Sequence, residues 1–267
     1  MRYVIIGNGA AGFAASRRLR DLDDDCEIVV VTAEPYHYYY RPRLPELVAG
    51  EIGVDDIVMN PPDWYDSRRI DVRLDSKVVR LDTQSKTVEL ESGEKAAYDK
   101  LLIASGSHPF VPPVDGTDKK GVFTLRSADD ALAIRSWAER CSAAVVIGGG
   151  LLGLETARGL RECGLPVTVL EHSEWLLPRQ LDRPAGEVLE SEIGKLGISV
   201  IKEATTVAVA GDERATGVVL EDGRTIEGDL VLFSTGVRAT VDFLEGSGVE
   251  VNRGVVVDCR MQTSVPD

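Results

Sequence analysis

The chain has 267 residues, 43% of them hydrophobic, and carries 30 Lys and Arg against 44 Asp and Glu, a formal net charge of −14. At roughly 100–200 residues per domain this length suggests two domains with buried cores. The acidic balance disfavours nucleic acid and anionic membrane surfaces, which both need clustered cations, and no segment reaches the ~18 apolar residues of a membrane span.

In chain order, residues 3–6 form an apolar, β-branched run without alternation, as expected of a strand buried on both faces of a parallel sheet. Arg2 with this run mimics a signal peptide, but the patterned glycines that follow read as a strand and turn instead. Gly7, Gly9 and Gly12 close the strand and open a helix to about Leu22. A second strand at 28–31 ends near Glu34, 22 positions after Gly12. Aspartates at 21–25 make a solvated loop, and the aromatic run at 36–40 either walls a ligand or packs beneath its own loop. Short runs at 77–82, 87–90 and 95–98, separated by turns, predict an antiparallel meander. An apolar strand then ends in Ala104, Ser105 and Gly106, and the Pro-rich stretch 108–116 reads as a linker between domains.

The same design then returns. Residues 144–147 lead into Gly148, Gly150 and Gly153, a helix runs to about Cys163, and a strand at 167–170 ends at Glu171, 18 positions after Gly153. A second meander follows at 206–210, 217–220 and 225–226, and the strand at 231–233 ends in Ser234, Thr235 and Gly236. A second crossing just after Gly236 would insert this unit into the first.

The spacing has a chemical reason. The first glycine of each triplet permits a tight turn, the second lets backbone approach a pyrophosphate, and the third lets helix pack on strand. Phosphates then meet free amides at the positive end of the helix, and an acid ~20 residues later accepts hydrogen bonds from a ribose. Two complete copies predict two dinucleotide sites. The fold class is α/β: two Rossmann-like three-layer nucleotide-binding domains, each with a small antiparallel β-meander, the second inserted into the first.

Cys26, Cys141, Cys163 and Cys259 are far apart, and His37, His108 and His172 are the three histidines. Neither set has the spacing of a zinc site or a tight dithiol. No metal site is expected, and the cysteines suit a reduced, cytoplasmic protein.

The combination GNGAAG at 7–12 with Glu34, YRPRL at 40–44, YDKLLIASG at 98–106, LRSADD at 125–130, GGGLLGLE at 148–155 and RQLD at 179–182 resembles the FAD-dependent pyridine nucleotide–disulfide oxidoreductase superfamily. The similarity covers the whole chain and lies with the branch lacking a redox disulfide: rubredoxin and ferredoxin reductases, and the flavin part of the nitrite reductase large subunit. It implies an FAD domain over 1–110 plus 240–267, incomplete at its C-terminus, and an NAD(H) domain over 111–239. Gly7, Gly9, Ala10, Ala11 and Gly12 would cradle the FAD pyrophosphate, with Glu34 on the adenosine ribose. Arg41, Pro42 and Arg126 would reach the flavin, Val78 the adenine, and Ala104, Ser105 and Gly106 the cofactor edge. Gly148, Gly150, Leu151, Leu152 and Gly153 would take the second nucleotide's phosphates, Glu171 its ribose, and Gly236 its nicotinamide side. Glu155 would orient the nicotinamide carboxamide. Glu171 favours NADH, since a carboxylate repels a 2′-phosphate.

The resemblance also has departures. No cysteine lies in the helix after the first glycine motif or near 41–50, which argues against disulfide and sulfenate chemistry. Glu46 stands where several electron-transfer reductases place a lysine. The chain ends before the Gly-Asp segment with which the family binds the ribityl chain, so a truncated piece is expected. The implied function is an NADH-dependent flavoprotein reductase that passes electrons to a small redox protein or fused domain, in a chain that can oligomerise. The alternatives are an NADH oxidase using oxygen, or a nucleotide-binding or redox-sensing fragment without turnover.

Overall fold

Both glycine motifs sit where a buried strand ends and a helix begins, in a computed structural model that describes residues 1–267. The first part of the chain contains β1 (Arg2–Ile6), α1 (Ala10–Leu22), β2 (Glu27–Val31), α2 (Leu44–Ala49), α3 (Pro62–Asp66) and β3 (Ile70–Arg73). There follow β4 (Val78–Asp82), β5 (Thr87–Leu90), β6 (Lys95–Ala97), β7 (Lys100–Ile103), β8 (Ser107–Pro109), β9 (Val122–Thr124), α4 (Ala128–Ala138) and β10 (Ala144–Ile147). The remainder comprises α5 (Leu151–Glu162), β11 (Val167–Leu170), α6 (Arg183–Lys195), β12 (Ile198–Ile201), β13 (Thr206–Ala210), β14 (Gly217–Leu220), β15 (Thr225–Glu227), β16 (Leu230–Phe233) and β17 (Val237–Ala239).

These elements divide into two units, the second inserted into the first. One comprises Met1–Tyr40, Val58–His108 and Arg238–Asp267, and the other Arg41–Ile57 and Pro109–Val237. In the first unit a parallel sheet has the order β3-β2-β1-β7, and β4, β5 and β6 form the antiparallel meander. The pleat sends alternate side chains to opposite faces. Val4, Ile6, Val29 and Val31 therefore pack with Leu81, Val88 and Leu90 of the meander. Ile5, Ile28 and Val30 pack on the other face with Cys26, Tyr65 and Ile70, and with Phe13 and Leu19 of α1. Burial on both faces is why the strands read as unbroken apolar runs.

The second unit repeats the plan with one more strand, in the parallel order β12-β11-β10-β16-β9. Its meander, β13-β14-β15, covers Val145, Ile147, Val231 and Phe233 with Val209, Val218 and Leu220. The Pro-rich stretch is partly integrated into this unit: Asp115 bridges to Ala208, and the Val209 N–H donates to the Asp115 carbonyl at 2.8 Å. Helix α2 also belongs here, although its chain position lies between elements of the first unit. It packs on α5 so closely that a Cβ added at Gly159 would come 2.7 Å from the Pro45 carbonyl oxygen. No helix is long and apolar enough to cross a membrane.

Candidate functional site

At the edge of the first sheet the three glycines have three separate reasons. Gly7 has φ +105°, and a Cβ on it would lie 2.2 Å from the Ala104 carbonyl oxygen, where the turn after β7 passes. At Gly12 a Cβ would lie 1.9 Å from the Gly7 carbonyl oxygen, so helix and strand meet backbone to backbone. Gly9 faces open space, with nothing within 4 Å of the added carbon. It is also the N-cap of α1 and supplies no side-chain hydrogen bond, so the leading amides await an acceptor. Ala10 and Ala11 are exposed on that first turn. By contrast, Ser127 and Asp182 cap α4 and α6 with their own side chains.

The second sheet edge has the same geometry. Gly148 has φ +115°, and its added Cβ would lie 2.4 Å from the Ser234 carbonyl oxygen. For Gly153 the corresponding distance to the Gly148 carbonyl oxygen is 2.2 Å, and Gly150, the side-chain-free N-cap of α5, again faces open space. Leu151 and Leu152 stand exposed on the first turn, 61% and 37% accessible. A cavity of about 630 Å³ opens at this sheet edge, lined by Gly148, Gly150, Glu171, His172, Arg179 and Gly236 among others. That volume lies within the ~300–1,000 Å³ typical of ligand sites, and with the bare glycine cradle it fits a dinucleotide.

The remaining candidates are placed as follows. Glu34, half-buried after β2, accepts a hydrogen bond from the hydroxyl of Tyr39. Glu171 is buried and accepts from two main-chain N–H groups. Gly106 has φ +68°, and Ser105 commits its hydroxyl to the Thr240 carbonyl at 2.7 Å, leaving main-chain atoms for a ligand. Val78 lies in the hydrophobic cluster at 9% exposure, so a nucleotide contact there would come from its backbone. Arg41, Pro42 and Arg126 are grouped in the second unit, where Arg41 Nη1 donates to the Arg126 carbonyl at 2.8 Å.

Glu155 and Pro42 line a smaller cavity of about 100 Å³ with Pro45, Glu46 and Arg158. Burial, reinforced by the Glu46 charge, pushes the Glu155 carboxyl above its ordinary value against the opposing pull of Arg158. Glu46 itself is held low by the guanidinium of Arg43, whose Nη2 lies 2.6 Å away. The aromatic run packs in part on α1 and α3, where Tyr38 stacks on Phe13 at 4.8 Å and His37 on Tyr65 at 4.6 Å, while Tyr40 stands exposed. The cysteines are free, and no group of His, Cys, Asp and Glu could hold a metal.

Several cavity residues escape sequence reasoning, notably Pro112, Thr205, Leu177 and Pro178, while Arg179 and Gln180, which complete the segment 177–180, enter it only through the RQLD motif. Leu177 adopts φ +53°, unusual for a branched side chain. The RQLD motif was the one signal near this segment, and it pointed to family rather than to position.

A family model described as pyridine nucleotide-disulphide oxidoreductase matches residues 1–267. The NAD(P)H nitrite reductase of Bacillus subtilis (strain 168) is 38% identical over 266 residues, 99% of this chain and 33% of that protein. The NADH-rubredoxin oxidoreductase of Clostridium acetobutylicum is 35% identical over 266 residues, 100% of this chain and 66% of that protein. A solved ferredoxin reductase from Rhodopseudomonas palustris superimposes with a TM-score of 0.94 at 27% identity, covering 99% of this chain and 66% of that one. The chain thus spans between one third and two thirds of these proteins.

Proposed function

Because the chain belongs to the pyridine nucleotide-disulphide oxidoreductase family, we propose that it is the nucleotide-binding part of an NADH-dependent flavoprotein reductase, with FAD on the first unit and NADH on the second. The observation that carries this is the doubled glycine geometry: two sheet edges each join a packed first and third glycine to an open second glycine at an uncapped helix start. When bound, the flavin and nicotinamide supply the redox chemistry, and the protein's part is to bind and orient them.

In this proposal Gly9 and Gly150 admit the pyrophosphates to the first amides of α1 and α5, with Ala10, Ala11, Leu151 and Leu152 beside them. Glu34 and Glu171 accept hydrogen bonds from the adenosine riboses, and Glu171 disfavours a 2′-phosphate. Glu155 orients the nicotinamide carboxamide. Arg41, Pro42 and Arg126 serve the flavin, and Ala104, Ser105, Gly106 and Gly236 form the turns against the cofactors. The absence of a cysteine between Ile6 and Gly50 other than Cys26, which is buried and accepts from Arg20, supports an acceptor that takes electrons without a thiol. Relatives named for nitrite and rubredoxin support a redox protein or fused domain in that role. Free cysteines support a reducing, cytoplasmic setting.

The test is a visible absorption spectrum of the purified chain, repeated after anaerobic addition of NADH. The expected result is a flavin band that bleaches. A colourless protein that still binds NADH would limit the proposal to the second unit, and one that binds neither would overturn it.

A further inference from the structure

Glu171 follows β11 and lines the larger cavity, yet it is only 8% exposed. Its Oε2 accepts the Gly149 N–H at 2.8 Å, and its Oε1 accepts the Ser173 N–H at 2.8 Å. Both donors are main-chain groups, one to each carboxylate oxygen. Hydrogen bonds to a charged acceptor are the strong ones, and a carboxylate has about four lone-pair sites. Two remain for ribose hydroxyls.

Gly149 is the middle glycine of the GGG run, and none of the three roles assigned to the motif is its own. Its φ is not positive, so conformation does not demand glycine there. Space does: a Cβ would lie 2.9 Å from Glu171 Oε2, 3.2 Å from Glu171 Cβ and 2.6 Å from Cδ2 of Leu176, which is fully buried. Any larger residue must push the carboxylate or Leu176 aside.

We propose that Gly149 and Ser173 are positioning residues for nucleotide choice, their N–H groups fixing the Glu171 carboxylate at the ribose corner of the cavity. A nucleotide carrying a 2′-phosphate then meets a carboxylate held in place by a main-chain donor on each oxygen. Once it is displaced, Arg179 in the same cavity is the cation left to receive a phosphate. The proposal rests on the assignment of this cavity to NADH.

The same geometry makes an amide a poor substitute. Gln at 171 has one acceptor oxygen and one NH₂ group, so in this rotamer the NH₂ must face one of the two N–H donors. The Gln side chain is expected to leave the corner.

The test uses the whole chain with adenosine 5′-monophosphate and adenosine 2′,5′-bisphosphate, titrated calorimetrically, so that flavin content and turnover play no part. The unaltered protein should prefer the monophosphate. Gly149→Ala should move the affinity ratio about tenfold toward the bisphosphate, the value of one lost charge-assisted bond, and Glu171→Gln should move it the same way. If Gly149→Ala weakens both ligands equally, or leaves the ratio unchanged while Glu171→Gln shifts it, the clamp is refuted and Glu171 acts alone. Should the alanine variant fail to fold, Ser173→Pro deletes the other donor without adding bulk beside Leu176, and carries the same expectation and the same refutation. An unaltered protein that binds neither nucleotide overturns the assignment of the cavity, and this proposal with it.

Discussion

Replacing the glycines one at a time by alanine should separate folding from binding. Gly7 combines φ +105° with an added Cβ only 2.2 Å from the Ala104 carbonyl oxygen and 2.9 Å from its carbon. A backbone conformation of this kind costs a non-glycine residue about 1–3 kcal/mol, and forcing an extra carbon against backbone adds about 1–3 kcal/mol. Gly7→Ala should therefore lose about 4 kcal/mol, the middle of the summed range, which at about 2–4 °C per kcal/mol lowers Tm by about 8–16 °C. Gly9 is different, because its φ of −84° and ψ of −168° suit alanine and its added carbon meets nothing within 4 Å. Gly9→Ala should melt within about 2–4 °C of the unaltered protein, yet lose flavin because the methyl occupies the approach to α1. Gly148→Ala and Gly150→Ala repeat the experiment in the second unit, with 2.4 Å and open space as the corresponding distances. Thermal melts by near-ultraviolet circular dichroism, paired with flavin content and NADH titration, read both effects. Equal loss of Tm in Gly7→Ala and Gly9→Ala, or none in either, would refute the division of labour.

Arg20 is 8% exposed and donates to the carbonyls of Asp23, Asp24, Cys26, Arg68 and Arg69. Arg20→Ala should cost at least about 3 kcal/mol in a chemical denaturation curve, and Arg20→Lys should rescue little, because an ammonium lacks the planar fork. Glu155→Gln should preserve the flavin spectrum while slowing flavin bleaching by NADH about tenfold in stopped flow; an unchanged rate would remove Glu155 from the site. Burial and the neighbouring Asp229 push the Cys141 thiol up to about 11. Since the thiolate is the reactive form, iodoacetamide at pH 8 should leave Cys141 largely unlabelled by mass spectrometry, with labelling rising only as the pH approaches that value.

The strand–glycine–helix units were legible because every step is local. Val4, Ile5 and Ile6 had to be buried on both faces, and the glycine spacings fall where a turn and an open helix start require them. The meanders were legible from short strand-like runs punctuated by turn residues, and the structure shows the alternate burial this implies at Val88 and Leu90. The placement of α2 was not, because what draws it to α5 is the absence of a side chain at Gly159, more than a hundred positions away. Val78 buries its side chain in the core, so a nucleotide contact there falls to its main chain, which no side-chain pattern reveals. The clamp on Glu171 was equally silent, since its donors are backbone N–H groups that any sequence supplies.

The seating of α2 on α5 has a consequence for recombination between relatives. A graft that exchanged only Pro109–Val237 would carry α5 into the new chain and leave behind Pro45 and Ala49, the surface for which Gly159 is kept bare. The exchangeable module is therefore discontinuous: Arg41–Ile57 must travel with it, and the breakpoints that keep a hybrid intact are four.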